Sequence, residues 1–424
     1  ERLGASRVCN HEKRVLQIEQ TEYRQQKSIH AMKVKHTIIA CLTAIAGFTL
    51  TAHTAWAQDN TEKEVPQKVE TPVKVKHSAE WYKTQERLWK AEIDKNPQNE
   101  EAWWNYYKAV RYQSWFDEST ELREKVERIM QEMAKAIPDT YTLYIMKYYH
   151  KGDVNAAPEM KKAIQMRPDN VEMYPDYVSY LMQTGDEELM ADILKRWYNS
   201  GTYSPSLLNY AYNALSGMKA NSLIFVNGDS PTFSKLLVQY GKNLFEDIDV
   251  ICMSMMWAPS YRKLICERLS IPDFEPIPHI SSQEEADKYT EQMMLHIIKH
   301  TRRPAVYFST LMNVPSFKDK LYSEGLVMRY SEKPYDNLAI KRKNFEENYL
   351  TDYLRESFLP ESYTASANKF NLNYIPCFKS LLDHYKQAGN FFRYNELRTL
   401  MLRIVEQVDI PDEQRQKYYE EIDR

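Results

Sequence analysis

The chain has 424 residues, a formal net charge of -3, and 43% hydrophobic against 27% charged residues. That length allows two or three domains with separate cores, the composition excludes a multi-span membrane protein, and the near balance of 56 Lys+Arg with 59 Asp+Glu leaves no single-sign field to attract nucleic acid. Ten glycines against 31 tyrosines disfavour turn-dense β folds and glycine-rich phosphate loops, and favour helices packed through aromatic rings.

Residues 1–31 read as an upstream extension outside the native protein: they are strongly polar and precede a basic start at Met32, Lys33, Lys35 and His36. Thr37 to Leu50 then runs without a charge, and Ala55-Trp56-Ala57 offers a small-x-small cleavage site. Together these predict a signal peptide over 32–57, cut before Gln58. The run is shorter than the roughly 20 residues a spanning helix needs, so no stable membrane span is expected after cleavage. Ile38-Ile39-Ala40-Cys41 resembles a lipobox, but too few apolar residues precede Cys41 for lipidation. Residues 58–77, rich in Lys, Glu, Thr and Pro, read as a solvated linker.

From 78 to 219 the pattern is helical and repeats. Asn96-Pro97, Ile137-Pro138, Arg167-Pro168 and Ser204-Pro205 mark turns, and an aromatic stripe follows each of the first three. The stripes are Trp103, Tyr106, Tyr107 and Val110; Tyr141, Tyr144, Ile145 and Tyr148; and Tyr174, Tyr177, Val178 and Leu181. Spacing of i, i+3, i+4 and i+7 puts each stripe on one inward face. Gly152-Asp153 and Gly185-Asp186 end two helices, glycine supplying a left-handed terminus. The spacing resembles a degenerate tetratricopeptide array, whose period is about 34 residues, with Pro97, Asn99, Pro168 and Asn170 in the matching turns.

Residues 220–335 read as a small α/β domain. Ser222 to Asn227 and Asp249 to Met255 predict buried strands, Ala305 to Thr310 and Leu326 to Tyr330 two more, and helices are expected from about Ser230 to Tyr240, over Pro259 to Leu269, and from Ser281 or Ser282 to His300. Alternating strands and helices imply a parallel sheet. Residues 336–424 return to helices, with Asn373 to Gln387 and Phe391 to Gln407 paired around Gly389-Asn390.

A loop leaving the first parallel strand is where open α/β sheets bind ligands, which makes Asn227, Gly228, Asp229 and Thr232 the ligand-binding candidates. The competing structural role is a helix cap from Asp229 or Ser230 and a tight turn at Gly228. A single Gly does not make a dinucleotide fingerprint or a P-loop. His296 and His300 share a helix face but lack the Glu and third ligand of a zinc site, Glu284 and Glu285 suit a first helical turn facing water, and Cys252, Cys266 and Cys377 read as buried thiols. No catalytic residue, metal site or cofactor is expected.

Phe225-Val226-Asn227-Gly228-Asp229-Ser230-Pro231-Thr232-Phe233 followed by Ile248-Asp249-Val250, with Arg303-Pro304-Ala305-Val306-Tyr307-Phe308 and Glu324-Gly325-Leu326-Val327-Met328-Arg329-Tyr330, resembles the soluble C-terminal region of the bacterial protein-O-mannosyltransferase-like membrane proteins. The similarity runs from about Asn221 to Arg403. It implies an extracytoplasmic α/β and helical-repeat region; sugar transfer in that family belongs to a multi-span domain that this sequence does not carry. Ser230-Pro231 also replaces the family's second acidic-polar pair.

The expected fold is mostly α with an inserted α/β unit, a tetratricopeptide-like helical solenoid plus a small Rossmann-like parallel sheet. The expected function is that of an exported, non-catalytic scaffold binding a protein or glycan partner in the cell envelope. The alternative is an accessory subunit of an envelope or protein glycosylation system, with a sugar or nucleotide-like ligand beside Asp229.

Overall fold

A computed structural model describes residues 64–424 except 73, 74, 76, 115, 117, 118, 152–156, 275–279, 357–360, 362 and 363. The signal-peptide, upstream-extension and Gly152-Asp153 expectations lie outside the described residues. Two compact units emerge, one ending at Met166 and one spanning Arg167–Arg424.

The first unit holds α1 (Ala79–Lys95), α2 (Glu100–Gln113), α3 (Thr120–Ala136), α4 (Tyr141–Lys151) and α5 (Ala157–Met166), each packed on its neighbour in sequence. Local chemistry sets the boundaries. Ser78 and Asn99 cap α1 and α2 by accepting from the Trp81 and Ala102 amides, and the Trp103 indole donates to the Pro97 carbonyl at 2.9 Å, fixing the first expected turn. The α2 stripe is buried as its spacing requires, among Tyr82, Trp89, Ile93, Ile129 and Met133. On α4 the stripe is rotated: Tyr141 and Ile145 are buried with Leu143 and Met146, whereas Tyr144 and Tyr148 are only half-buried. The smaller aliphatic groups take the inward positions, and the Tyr144 hydroxyl instead donates to Asp139 at the surface.

The second difference concerns the expected linker over 58–77. Its described part includes an arm, residues 64–72, that lies against α1 and α2 and inserts Val69 into the core. A single apolar residue among polar ones carries no periodicity, so its burial could not be read locally.

The second unit begins with α6 (Tyr174–Thr184), α7 (Glu187–Asn199) and α8 (Pro205–Ser216). Gly185 adopts φ +73° at the end of α6, and Asp186 caps α7, as the Gly-Asp turn predicts. Tyr174, Tyr177, Val178 and Leu181 are all buried. The sheet follows: β1 (Leu223–Val226), α9 (Asp229–Lys242), β2 (Asp249–Cys252), α10 (Pro259–Leu269), α11 (Gln283–His300), β3 (Val306–Ser309), β4 (Leu321–Ser323) and β5 (Val327–Tyr330). Its order is β2-β1-β3-β5-β4. All four β1 residues are buried, as befits a strand covered on both faces.

The sheet is mixed, not parallel throughout. β1 runs parallel to β2 and β3, but β5 runs antiparallel to both β3 and β4. A parallel return needs a crossover, usually helical, and between β3 and β5 the chain makes only a 3-10 turn and the short strand β4. β4 is an additional strand without a local sequence signal, since its three half-buried residues carry no alternation. The remaining helices are α12 (Asn337–Lys343), α13 (Thr364–Asn371), α14 (Tyr374–Gln387), α15 (Phe391–Glu406) and α16 (Asp412–Asp423), with α14 and α15 paired as expected.

Candidate functional site

The strand order reverses direction between β1 and β3: the chain passes from β1 outward to β2, then crosses back to β3. The carboxyl end of β1 is therefore at the topological switch point of the sheet. Gly228 takes φ +84° there, and a Cβ added to it would meet nothing within 4 Å, so open space lies beside the backbone. Gly228 itself holds the N-cap position of α9 with no side-chain cap bond, which replaces the expected cap by Asp229 or Ser230. Asn227 and Asp229 are exposed. Thr232 is buried, and its hydroxyl donates to the Gly228 carbonyl at 2.7 Å, so it braces the turn instead of facing outward.

Deeper in α9 the first-turn carbonyls are loaded with side-chain donors. The Ser234 hydroxyl reaches Ser230 O at 2.6 Å, and the Lys235 ammonium reaches Pro231 O at 3.1 Å. Lys235 is buried, and loss of hydration pushes its pKa down to about 8. Cys252, at the end of β2, is buried with its thiol 3.1 Å from the Ser254 hydroxyl, and burial raises its pKa. All three described cysteines are buried and free, and burial raises the pKa of each thiol, outweighing Lys341 beside Cys377 and Arg262 beside Cys266.

A second polar cluster sits under the β4–β5 hairpin and had no local signal. Glu324 is buried and accepts from Tyr335 Oη at 2.7 Å and Tyr307 Oη at 3.1 Å, with Arg329 Nη1 at 3.5 Å. Burial, then the adjoining carboxylate, holds both phenols well above the ordinary tyrosine range. They remain protonated donors at neutral pH, and the cluster pins the hairpin.

His296 and His300 bond the carbonyls of Pro272 and His296 at 2.8 and 2.9 Å. Among the described residues no three His, Cys, Asp or Glu side chains are grouped to hold a metal. An open depression of about 430 Å³ on α15 is lined by Phe392, Glu396, Thr399, Arg403 and Arg355. Arg355 meets Glu396, and Arg403 meets Glu356, both at 3.3 Å.

The first unit carries a different arrangement. Trp104 on α2 and Tyr149 on α4 are half-buried, and their ring planes lie within 7° of one another at 6.3 Å; Tyr107 stacks on Trp104 at 5.8 Å. The Arg111 guanidinium lies 4.0 Å from the Tyr149 ring centre, and the Lys108 ammonium 5.2 Å from that of Trp104. Cation and ring attract through the ring quadrupole, which orders two long side chains beside aligned aromatic faces. Tyr107 is buried, as its place in the stripe predicts, whereas Trp104, Tyr149, Lys108 and Arg111 carry no signal of a shared role in the sequence. Their juxtaposition joins α2 to α4, two elements whose phase could not be related before the helices were placed. Comparison of the chain with family models, curated proteins and solved structures finds no match.

Proposed function

We propose that this chain is an exported, non-catalytic scaffold that holds a protein or glycan partner in the cell envelope. The observation that carries the reading is the Trp104–Tyr149 stack with Arg111 and Lys108 upon it. The half-buried Trp104 and Tyr149 rings, with the half-buried Arg111 beside them and Lys108 buried, offer their exposed parts to a sugar ring or to a polypeptide with acidic groups, at little entropic cost because both rings are already fixed. The buried phenols and thiols have pKa values raised away from neutrality, which fits binding better than covalent chemistry. Export rests on the signal pattern over 32–57. Among the described residues no helix is long and apolar enough to cross a membrane.

The test is a comparison of wild-type chain with the Trp104→Ala/Tyr149→Ala double variant, each immobilised and exposed to solubilised envelope fractions and defined envelope oligosaccharides. The reading expects at least one component retained by wild type and lost from the double variant at a nearly unchanged melting temperature. Equal retention by both would contradict it.

A second reading, the accessory glycosylation subunit, is favoured by the switch-point position and open space at Gly228. It expects a nucleotide sugar to raise the melting temperature of wild type but not of Asp229→Ala.

A further inference from the structure

Asn227 is followed directly by Gly228 in the loop between β1 and α9, and this is the sole Asn-Gly pair in the sequence. The side-chain amide of an asparagine is open to attack by the backbone nitrogen of the next residue, and a side chain on that residue obstructs the approach. Glycine removes the obstruction. At Gly228 the surroundings leave the path clear as well: a Cβ built there would meet nothing within 4 Å, and the φ of +84° lies where glycine moves freely and other residues are strained.

Both reacting groups are uncommitted. Asn227 is exposed, and among the described residues its side chain has no hydrogen-bond partner. The Gly228 N–H has none either, because the β1 ladder ends at Val226, whose carbonyl accepts from the Met253 amide at 2.8 Å, and α9 begins only at Asp229. The described Asn-Ser pairs lack this combination. At Asn199-Ser200 the attacking amide is bonded to Arg196 O at 2.9 Å, and at Asn221-Ser222 the serine is fully buried with its carbonyl held by the Asp249 amide at 3.0 Å.

We propose that Asn227 is a site of spontaneous deamidation, with water as the co-reactant. The Gly228 amide nitrogen gives its proton to solvent and bonds to Asn227 Cγ; the bond from Cγ to the side-chain nitrogen breaks, ammonia leaves, and a cyclic imide closes. Water then adds to either imide carbonyl. Opening on one side leaves aspartate, and opening on the other routes the main chain through Cβ and Cγ as isoaspartate, one methylene longer. In both products a neutral amide has become a carboxylate.

The position gives that charge a consequence. It arises beside the first turn of α9, where unpaired N–H groups and the helix dipole favour an anion, and it joins the exposed Asp229. An isoaspartate must also fit its extra methylene between two fixed points, the Val226 carbonyl held by Met253 and the Gly228 carbonyl held by the Thr232 hydroxyl at 2.7 Å. Deamidation therefore makes the switch-point loop more negative and disfavours an anionic ligand there. The reaction itself needs no ligand and is independent of either functional reading.

The experiment holds the full chain, freshly purified, at pH 6 and at pH 8, both folded and in denaturant, then digests it and follows peptide masses together with an enzymatic isoaspartate assay. In the folded chain Asn227 should convert roughly tenfold faster than Asn199 or Asn221. Conversion should be faster at pH 8, because the attacking nitrogen must lose its proton. Asn227→Gln should remove the acidic species from ion exchange while keeping the wild-type melting temperature. A folded chain in which Asn227 stays intact while the denatured chain converts overturns the proposal, since the loop then withholds the geometry; equal rates at Asn227, Asn199 and Asn221 overturn it too.

Discussion

The two units bury polar side chains for opposite purposes. In the first, Gln85 and Asn105 offer buried acceptors to the backbone of residues 64–72. In the second, Asn213 on α8 donates to Leu350 O at 2.9 Å and Tyr374 Oη at 2.7 Å, and accepts from the Leu350 amide at 2.8 Å, closing helices far apart in sequence onto one another. Glu324 likewise is enclosed by Tyr307, Tyr335 and Arg329. One buried amide thus serves a short extended segment and another a sealed junction of helices. The chemistry of the residue is the same; what differs is whether its partners can leave without unpacking the core.

The largest test of that contrast is at the sheet. Phe225→Ala on the fully covered strand β1, where Phe225 meets Phe308 edge-to-face at 5.1 Å, should cost about 3–5 kcal/mol in chemical denaturation. Val69→Ala should cost no more than about 2 kcal/mol, because the arm can undock without opening a cavity. Equal costs would erase the distinction.

Next comes Lys235, a fully buried group in the second unit whose burial opposes the fold at neutral pH. Its folded pKa is about 8 against an ordinary 10.5. Between those values the unfolded chain carries the proton that the native one has shed, so stability rises with pH across that window. Lys235→Met should reduce the rise, leaving the part that the buried Lys341 contributes, and stabilise the protein by about 3 kcal/mol below pH 8, measured by denaturant unfolding at pH 7 and pH 10. A variant that keeps the whole rise would place its source elsewhere.

The paired amides sharpen the comparison further. Asn213→Ala strands a backbone donor and a carbonyl inside the core and should cost about 2–3 kcal/mol, whereas Asn105→Ala should cost about 1 kcal/mol, since the Val69 amide can turn to water. Smallest of all, Asp229→Ala should shift apo stability by less than about 0.5 kcal/mol, because the residue is exposed.

Much of the second unit was legible because its signals are local. Leu223–Val226 is an unbroken apolar run, Ser282 accepts from the Glu285 amide at the start of α11 while the Glu285 carboxylate accepts from Ser281, and Gly185-Asp186 supplies the φ a reversal needs. The direction of β5 was not legible, since it depends on the absence of a crossover helix rather than on the strand's own residues. The Glu324 cluster draws its donors from Tyr307, Arg329 and Tyr335, on different elements, and nothing near Glu324 in sequence announces them. The arm misled for the same reason: Pro66, Lys68, Glu70 and Thr71 are what a solvated tether contains, and the groups that hold the arm are 18 to 36 residues away. Of the four residues proposed at the β1–α9 loop, Asn227 and Asp229 face solvent as a ligand site requires, Gly228 supplies the turn, and Thr232 is committed to it.

The account places recognition in the first unit and treats the second as a sealed body. Hydrogen-exchange footprinting of the full chain, alone and with a captured envelope partner, tests this most directly. Protection changes confined to residues 64–151 would agree with it. A footprint centred on Asn227–Thr232, with the arm and the Trp104–Tyr149 face unchanged, would contradict it.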